Sequence, residues 1–210
     1  LSYGNTIFYV AAGGFLSVAV TVMTAFGLTR RDLPFRNFIM FAILFTMYFN
    51  GGLIPTYLVV KNVGLLDTRL AMILPGLVGT YNLIITISYF RGLPYELEEA
   101  AKIDGAGHWR VLFQVVLPIS LPVLAVITLY YAVGHWNAWF NAYLYLNEPK
   151  KFPLQLIIKE ILLANSNSMA GESSAASSDG VKMDALSEVI KYSAIMVSCI
   201  PIWCAYPFVQ

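Results

Sequence analysis

Few side chains in this sequence are spaced for covalent or metal chemistry. A serine nucleophile needs a base beside it, and no histidine is paired with Ser88 or Ser120. Cys199 and Cys204 lie five residues apart without a neighbouring histidine or acid, so they indicate neither a metal site nor a disulfide framework. His135 could relay protons, but no acidic residue lies near it in the sequence. The pattern therefore argues against an intramembrane enzyme.

The composition indicates a membrane protein. The 210 residues are 58% hydrophobic and 12% charged, whereas soluble domains carry about 25% charged residues. The formal net charge of +1 leaves no basic face for a nucleic-acid partner. No basic region with a cleavage site follows the first residue, so we expect no signal peptide, and we expect both ends to be truncated.

Five apolar segments are long enough to cross a bilayer core, which takes roughly 20 residues per helix. They predict spanning helices at about 7–28, 38–57, 70–90, 118–140 and 189–208. Glycine or proline occurs in all of them, as membrane helices tolerate. The sequence thus predicts an all-α, polytopic transmembrane helix bundle forming one domain over residues 1–210. A proton-driven transporter or channel would need charges inside the helices, which are almost free of them.

The two long connections differ in character. Residues 91–117 are amphipathic, whereas 141–187 become polar after a stretch, 153–163, that predicts a short amphipathic helix. Residues 165–180 are rich in Ser, Ala and Asn and predict a flexible linker. The short loop at 29–37 is basic and lies on the same side of the membrane as 91–117. Because short loops rich in Lys and Arg are usually cytoplasmic, this favours the cytoplasmic side for both.

Within 91–117, the stretch 93–107 predicts a short helix that cannot span. Pro94 is placed to open it, and acidic residues cluster in its first turns, where the helix dipole favours them. Gly105 is placed to stop it. One face, by three- to four-residue spacing, carries Leu97, Ala100 and Ala101. Two small adjacent residues make that face slim enough to enter a groove on another protein.

This segment resembles the EAA loop of ABC import permeases: Glu-Ala-Ala, three residues, Gly, nine residues, an aliphatic residue, one residue, then Leu-Pro. The matching positions here are Glu99, Ala100, Ala101, Gly105, Val115, Leu117 and Pro118. Val115 stands where the family usually has Ile. Further motifs resemble carbohydrate permeases of the maltose-permease type, at 33–36, 51–57, 64–68, 103–106 and 134–137. The serine-rich loop and residues 189–192 resemble the branch that imports complex or acidic oligosaccharides.

The resemblance implies a type I ABC importer fold in the bacterial inner membrane, usually with six spanning helices, so we expect the first to be missing from this sequence. The resemblance also implies that the short helix is a coupling helix seated in a cytoplasmic ATPase subunit. Binding of ATP to that subunit would switch the transport pathway from inward-facing to outward-facing. The ATPase-coupling residues implied are Glu99, Ala100, Ala101, Lys102, Ile103, Asp104, Gly105 and Ala106. The implied partners are a second permease subunit, two ATPase subunits and an extracytoplasmic solute-binding protein that docks at the outer loop, 141–187.

The sequence has no phosphate-cradling glycine-lysine loop, so we expect no ATP hydrolysis by this chain alone. ATP and Mg would be bound by the partner ATPase, with no cofactor or metal on this chain. The expected cargo is an oligosaccharide, for example an alginate- or pectin-derived one. A non-sugar solute such as a peptide or amino acid is the alternative.

Sugar sites combine aromatic faces with amide and hydroxyl groups. The candidates for a substrate pathway are Tyr48, Asn50, Gly51, Tyr57, Asn82, His135, Trp136 and Asn137. The aromatic members could equally form an interfacial belt against the lipid bilayer. For Asn50 and Asn137 we favour a contact inside the bundle over a contact with lipid.

Overall fold

The structure is a computed structural model that describes residues 1–30, 32–171, 189, 192–193, 195–201 and 203, and for 164–171 the backbone alone. The fifth predicted span, at about 189–208, falls largely outside the described residues, as do residues 172–180 of the predicted linker. Throughout the described part, the regular structure is helical.

The α-helices, in chain order, are α1 (Ser2–Thr29), α2 (Arg36–Tyr48), α3 (Leu53–Asn62), α4 (Thr80–Arg91), α5 (Tyr95–Ile103), α6 (His108–Ile119), α7 (Leu121–Trp136), α8 (Trp139–Tyr145) and α9 (Leu154–Gly171). Short 3₁₀ helices occur at Arg69–Met72, Leu74–Gly76 and Pro149–Lys151. Residues 165–171 belong to α9, so the prediction of a linker from 165 is wrong for these residues.

Helix α1 confirms the first predicted span. It has 28 residues and is long and apolar enough to cross a membrane. At 1.5 Å per residue it measures about 42 Å, more than the bilayer core of about 30 Å. A π-helical stretch, Tyr9–Gly13, widens it near its first third. The two ends of α1 therefore lie far enough apart to reach opposite membrane surfaces.

The other predicted spans are not single helices. Helices α2 and α3 meet at 116°, the 3₁₀ segment before α4 meets it at 51°, and α6 meets α7 at 85°. The first break falls at Gly52, which has φ +87°, a backbone conformation that glycine adopts readily and other residues do not. Taking each bent pair as one span gives up to four spans in the described part, by length and composition. The segments predicted to span at 38–57, 70–90 and 118–140 therefore qualify as spans only as bent helix pairs and not as straight helices.

The main core joins α1 to α4, α6 and α7. Its buried members include Ala25 and Leu28 from α1, Ile87 from α4 and Ile127 from α7. Leu112, from the middle of α6, completes it and is 1% exposed. Because α5 lies in the chain between α4 and α6, packing of those two helices on α1 holds α5 at one end of the bundle.

Candidate functional site

The short helix predicted from the sequence is confirmed as α5. It begins directly after Pro94, which lacks an N–H and so needs no partner at this position. Glu96 and Glu98 lie in its first turn and Lys102 in its last, so all three charges match the helix dipole.

The end of α5 depends on a glycine in the left-handed conformation. Gly105 has φ +81°. Its N–H donates to the carbonyl of Lys102 at 3.0 Å, and the N–H of Ala106 donates to the carbonyl of Ala101 at 2.9 Å. This pair of bonds is a Schellman motif, which satisfies carbonyls that the helix leaves unpaired. A Cβ on Gly105 would meet nothing within 4 Å, so backbone conformation and not space demands glycine here.

The two adjacent alanines face different ways. Ala101 packs against the main core, as does Ala106 after the turn. Ala100 is exposed, and so are Glu99 and Ile103, the last with 86% of its surface in solvent. Consecutive helical residues are about 100° apart, which places only one alanine on the outer face. The expectation that both alanines share a contact face is therefore corrected: Ala100 offers that face and Ala101 anchors the helix.

An ion pair fastens α5 to α1, and it uses an acid that the sequence did not single out. Glu98 pairs with Arg30, directly after the end of α1, and also with Lys102 at 3.0 Å. The Arg30 guanidinium lies 3.9 Å above the ring of Phe26. The side chains of Arg30 and Glu98 are 12% and 20% exposed, so water screens this pair poorly. The spacing of Glu98 and Lys102 was a readable signal for a helix-surface pair.

The candidate pathway residues of the second segment lie at and after its break. Tyr48, Asn50 and Gly51 are exposed. The side-chain oxygen Oδ1 of Asn50 accepts a hydrogen bond from the N–H of Gly52 at 3.1 Å, so this side chain stabilises the bend. The ring of Tyr57 is instead stacked on a ring of α8, with centroids 6.4 Å apart.

The candidates of the later helices lie in other surroundings. His135 packs against Gly13 of α1 so closely that a Cβ on that glycine would lie 2.7 Å from its Nε2. Trp136 is 7% exposed, with its ring edge-on to a tyrosine of α1, so it offers no open ring face in this conformation. Asn137 is exposed and its amide donates to the Val133 carbonyl at 3.1 Å.

Asn82 lies next to a buried polar cluster that the sequence did not reveal. The Tyr131 hydroxyl accepts a hydrogen bond from the N–H of Gly79 at 3.0 Å and shares another with the Thr21 hydroxyl at 2.7 Å. A Cβ on Gly79 would lie 3.5 Å from the Asn82 amide nitrogen. These contacts join α1 and α7 to the start of α4. The candidate pathway residues thus fall into separate surroundings, and their role stays a prediction.

A second polar cluster that the sequence did not predict lies at the opposite end of α1 from Arg30. The Asp67 carboxylate accepts hydrogen bonds from the N–H groups of Asn147 and Glu148, both at 3.1 Å. Lys151 donates to the Asp67 carbonyl at 2.7 Å and pairs with Glu148 at 2.8 Å. The N–H bonds from Asn147 and Glu148, helped by Lys151, hold the pKa of Asp67 below its ordinary value of 3.8.

The same connection is tied to α1. The Asn5 amide donates to the carbonyl of Lys150 at 2.7 Å, and the Tyr9 hydroxyl donates to that of Lys151 at 3.0 Å. The Thr6 hydroxyl accepts from the N–H of Leu154 at 2.8 Å. Together with Asp67, these bonds fix the start of the loop predicted to face outside. Within the described residues, no group of three His, Cys, Asp or Glu side chains could hold a metal ion.

Comparisons with known proteins agree on one family. The model of the family described as "Binding-protein-dependent transport system inner membrane component" matches residues 14–177. The chain is 42% identical over 205 residues to the polygalacturonan/rhamnogalacturonan transport system permease protein YtcP of Bacillus subtilis, covering 98% of this chain and 70% of the relative. It is 40% identical over 210 residues to protein LplC of the same organism, covering 100% and 69%.

A solved structure is similar throughout. It is a crystal structure of a bacterial ABC transporter involved in the import of the acidic polysaccharide alginate. The TM-score is 0.86 at 32% identity, covering 100% of this chain and 73% of the other. Fold and sequence therefore point to the same family, and α5 lies inside the matched region.

Proposed function

This chain belongs to the family of binding-protein-dependent transport system inner membrane components, and we propose that it lines the route by which an ATP-driven importer takes up an oligosaccharide. The observation that carries this is the match over residues 14–177 together with similarity along the whole chain to a carbohydrate permease. These relatives favour carbohydrate over peptide or amino-acid import. The chain is a permease subunit of a carbohydrate ABC importer.

The cargo is proposed to be an acidic oligosaccharide. The similar solved transporter imports alginate, an acidic polysaccharide, and YtcP is named for polygalacturonan, a polymer of a uronic acid. Two relatives with acidic cargo support a substrate carrying carboxylates. Asn50, Asn82 and Asn137 would be donors to such a substrate or its hydroxyls.

Helix α5 is proposed to couple this subunit to a cytoplasmic ATPase. Its outer face presents Glu99, Ala100 and the apolar Ile103, which is what a cleft on another protein could receive. ATP and Mg would be bound by two ATPase subunits, and a second permease subunit would complete the route. This chain would contribute no ATPase residues of its own.

The ion pair between Glu98 and Arg30 supports a specific path for the motion. A push on α5 would pass through this ion pair to the end of α1, a single helix about 42 Å long. At the far end, Asn5 and Tyr9 hold the connection around Lys151. That end would face outside, where a solute-binding protein docks, so both surfaces would move with one helix.

The test is uptake by the complete transporter in proteoliposomes, with binding protein outside and ATP inside. We expect ATP-dependent accumulation of a labelled oligogalacturonate, and little of a neutral maltooligosaccharide or of a peptide. ATP-dependent uptake of the peptide alone, or uptake driven by a proton gradient without ATP, contradicts the proposal.

A further inference from the structure

A cavity bounded by cationic side chains lies between α5 and the end of α1. Its volume is 240 Å³. The charged residues in its wall are Arg30, Asp32, Arg36, Arg91, Glu98 and Lys102. Four positive charges face two negative ones, so the wall carries a net charge of +2 at neutral pH. Such a wall favours an anion.

Guanidinium nitrogens in this wall are incompletely paired. Beyond its ion pair with Glu98, which Lys102 shares, the buried nitrogens of Arg30 make no other hydrogen bond within the described part of the chain. The Nε of Arg36 is likewise shielded from solvent without an acceptor among the described residues. Buried donors without acceptors are costly, and arginine is well suited to bind phosphate oxygens. A phosphate entering the cavity would supply what these groups lack.

An apolar pocket of 400 Å³ lies beside the cationic cavity. Its wall includes Met23, Leu33 and Leu112, and it shares Phe26, Arg30 and Asp32 with the cavity. Its size falls in the range of about 300–1,000 Å³ that is typical of small-molecule sites. A charged space and an apolar space that share a wall suit an amphiphile with an anionic head and a hydrocarbon tail.

We propose that this pair of spaces binds an anionic phospholipid, with its phosphate in the cationic cavity and an acyl chain in the apolar pocket. An inner-membrane component is surrounded by such lipids, and basic clusters at a membrane surface attract them. Because Lys102 belongs to α5 and Arg30 directly follows α1, a phosphate bound to both cations would hold α5 against α1. The ligand is distinct from the transported sugar, and its binding is measured independently of transport.

The test is native mass spectrometry of the complete purified transporter titrated with phosphatidylglycerol or with zwitterionic phosphatidylethanolamine. We expect the double variant Arg36→Gln/Arg91→Gln to bind phosphatidylglycerol at least about tenfold more weakly, since two charge-assisted contacts are lost. The matched control Lys61→Gln/Lys150→Gln removes two exposed charges from the other end of the bundle and should change binding less than about twofold. Equal weakening in both variants, at equal melting temperature, overturns the site.

Two further arms separate a lipid from a free anion. Gly27 lines the apolar pocket, and a Cβ there meets nothing within 4 Å, so Gly27→Leu should occupy the acyl space. Gly4→Leu, in the same helix with equally open surroundings, is its control. We expect only Gly27→Leu to weaken phosphatidylglycerol binding, and millimolar inorganic phosphate to compete poorly. Complete displacement by inorganic phosphate, with no effect of Gly27→Leu, overturns the lipid and leaves a free-anion site.

Discussion

Replacing Gly105 by alanine tests the link between the end of α5 and transport. The added Cβ meets no atom within 4 Å, so the substitution creates no clash with neighbours. Its cost arises from φ +81°, a conformation that disfavours residues with a Cβ by about 1–2 kcal/mol. Relief of this strain would break the bonds from Gly105 to Lys102 and from Ala106 to Ala101. The correctly capped end of α5 should then be populated about 5–30-fold less relative to the frayed end.

The assay compares oligosaccharide uptake with ATP hydrolysis in proteoliposomes. We expect Gly105→Ala to insert normally but to take up several-fold less sugar per ATP hydrolysed, because the helix that transmits the motion is misaligned. Gly105→Asn should recover part of the loss, since asparagine tolerates the left-handed region. Gly107→Ala is the matched control. Gly107 has φ −72° and equally open surroundings, so this variant should take up as much sugar per ATP hydrolysed as the unmodified protein.

The reasoning is refuted if Gly105→Ala transports like the unmodified protein. It is also refuted if Gly107→Ala loses as much coupling, because strain at φ +81° would then not be the cause.

Three further predictions follow from other contacts. Glu98→Gln should lower the free energy of unfolding by about 1.5–3 kcal/mol, because it removes the negative charge that pairs with the largely shielded Arg30, whereas the exposed Glu99→Gln should change it by less than about 0.5 kcal/mol; equal effects in chemical denaturation would contradict the role of the ion pair. Gly13→Ala should destabilise the bundle by clashing with His135, and adding His135→Ala should restore part of the melting temperature; no recovery in the double variant would refute the contact. Since the pKa of Asp67 is lowered on folding, its stabilisation is complete above the unfolded pKa and is lost as pH falls through the folded value. Asp67→Asn should therefore lower the melting temperature at pH 7, with the deficit shrinking below about pH 4; a deficit that is independent of pH would argue against the carboxylate.

The sequence predicted α5 well because its signals are local. Pro94, the acids of the first turn and Gly105 act within a few residues of where they stand. The partial burial of Ala101 and the exposure of Ala100 could not be predicted in the same way, because they depend on how α4 and α6 pack against α1.

The breaks in the predicted spans could not be predicted from the sequence for a related reason. Hydropathy reports how apolar a segment is, and Gly52 or Pro122 in such a segment is compatible with either a straight or a broken helix. The bonds of Asp67 to Asn147 and Glu148 join residues about 80 positions apart, which no local pattern reveals. The spacing of Glu98 and Lys102 predicts their pair on the helix surface, but the pair of Glu98 with Arg30 joins residues far apart in the sequence and could not be predicted.

The most direct test of the coupling proposal is cysteine crosslinking at α5, in the complete transporter with Cys199 and Cys204 replaced by alanine. The account predicts that a cysteine at the exposed Ala100 crosslinks to the ATPase subunit, whereas one at the core-facing Ala101 does not. A membrane-impermeant thiol reagent should label Ala100→Cys, in the absence of the ATPase, in inside-out vesicles alone. Labelling of Ala100→Cys in right-side-out vesicles, or crosslinking at Ala101→Cys alone, would contradict the account.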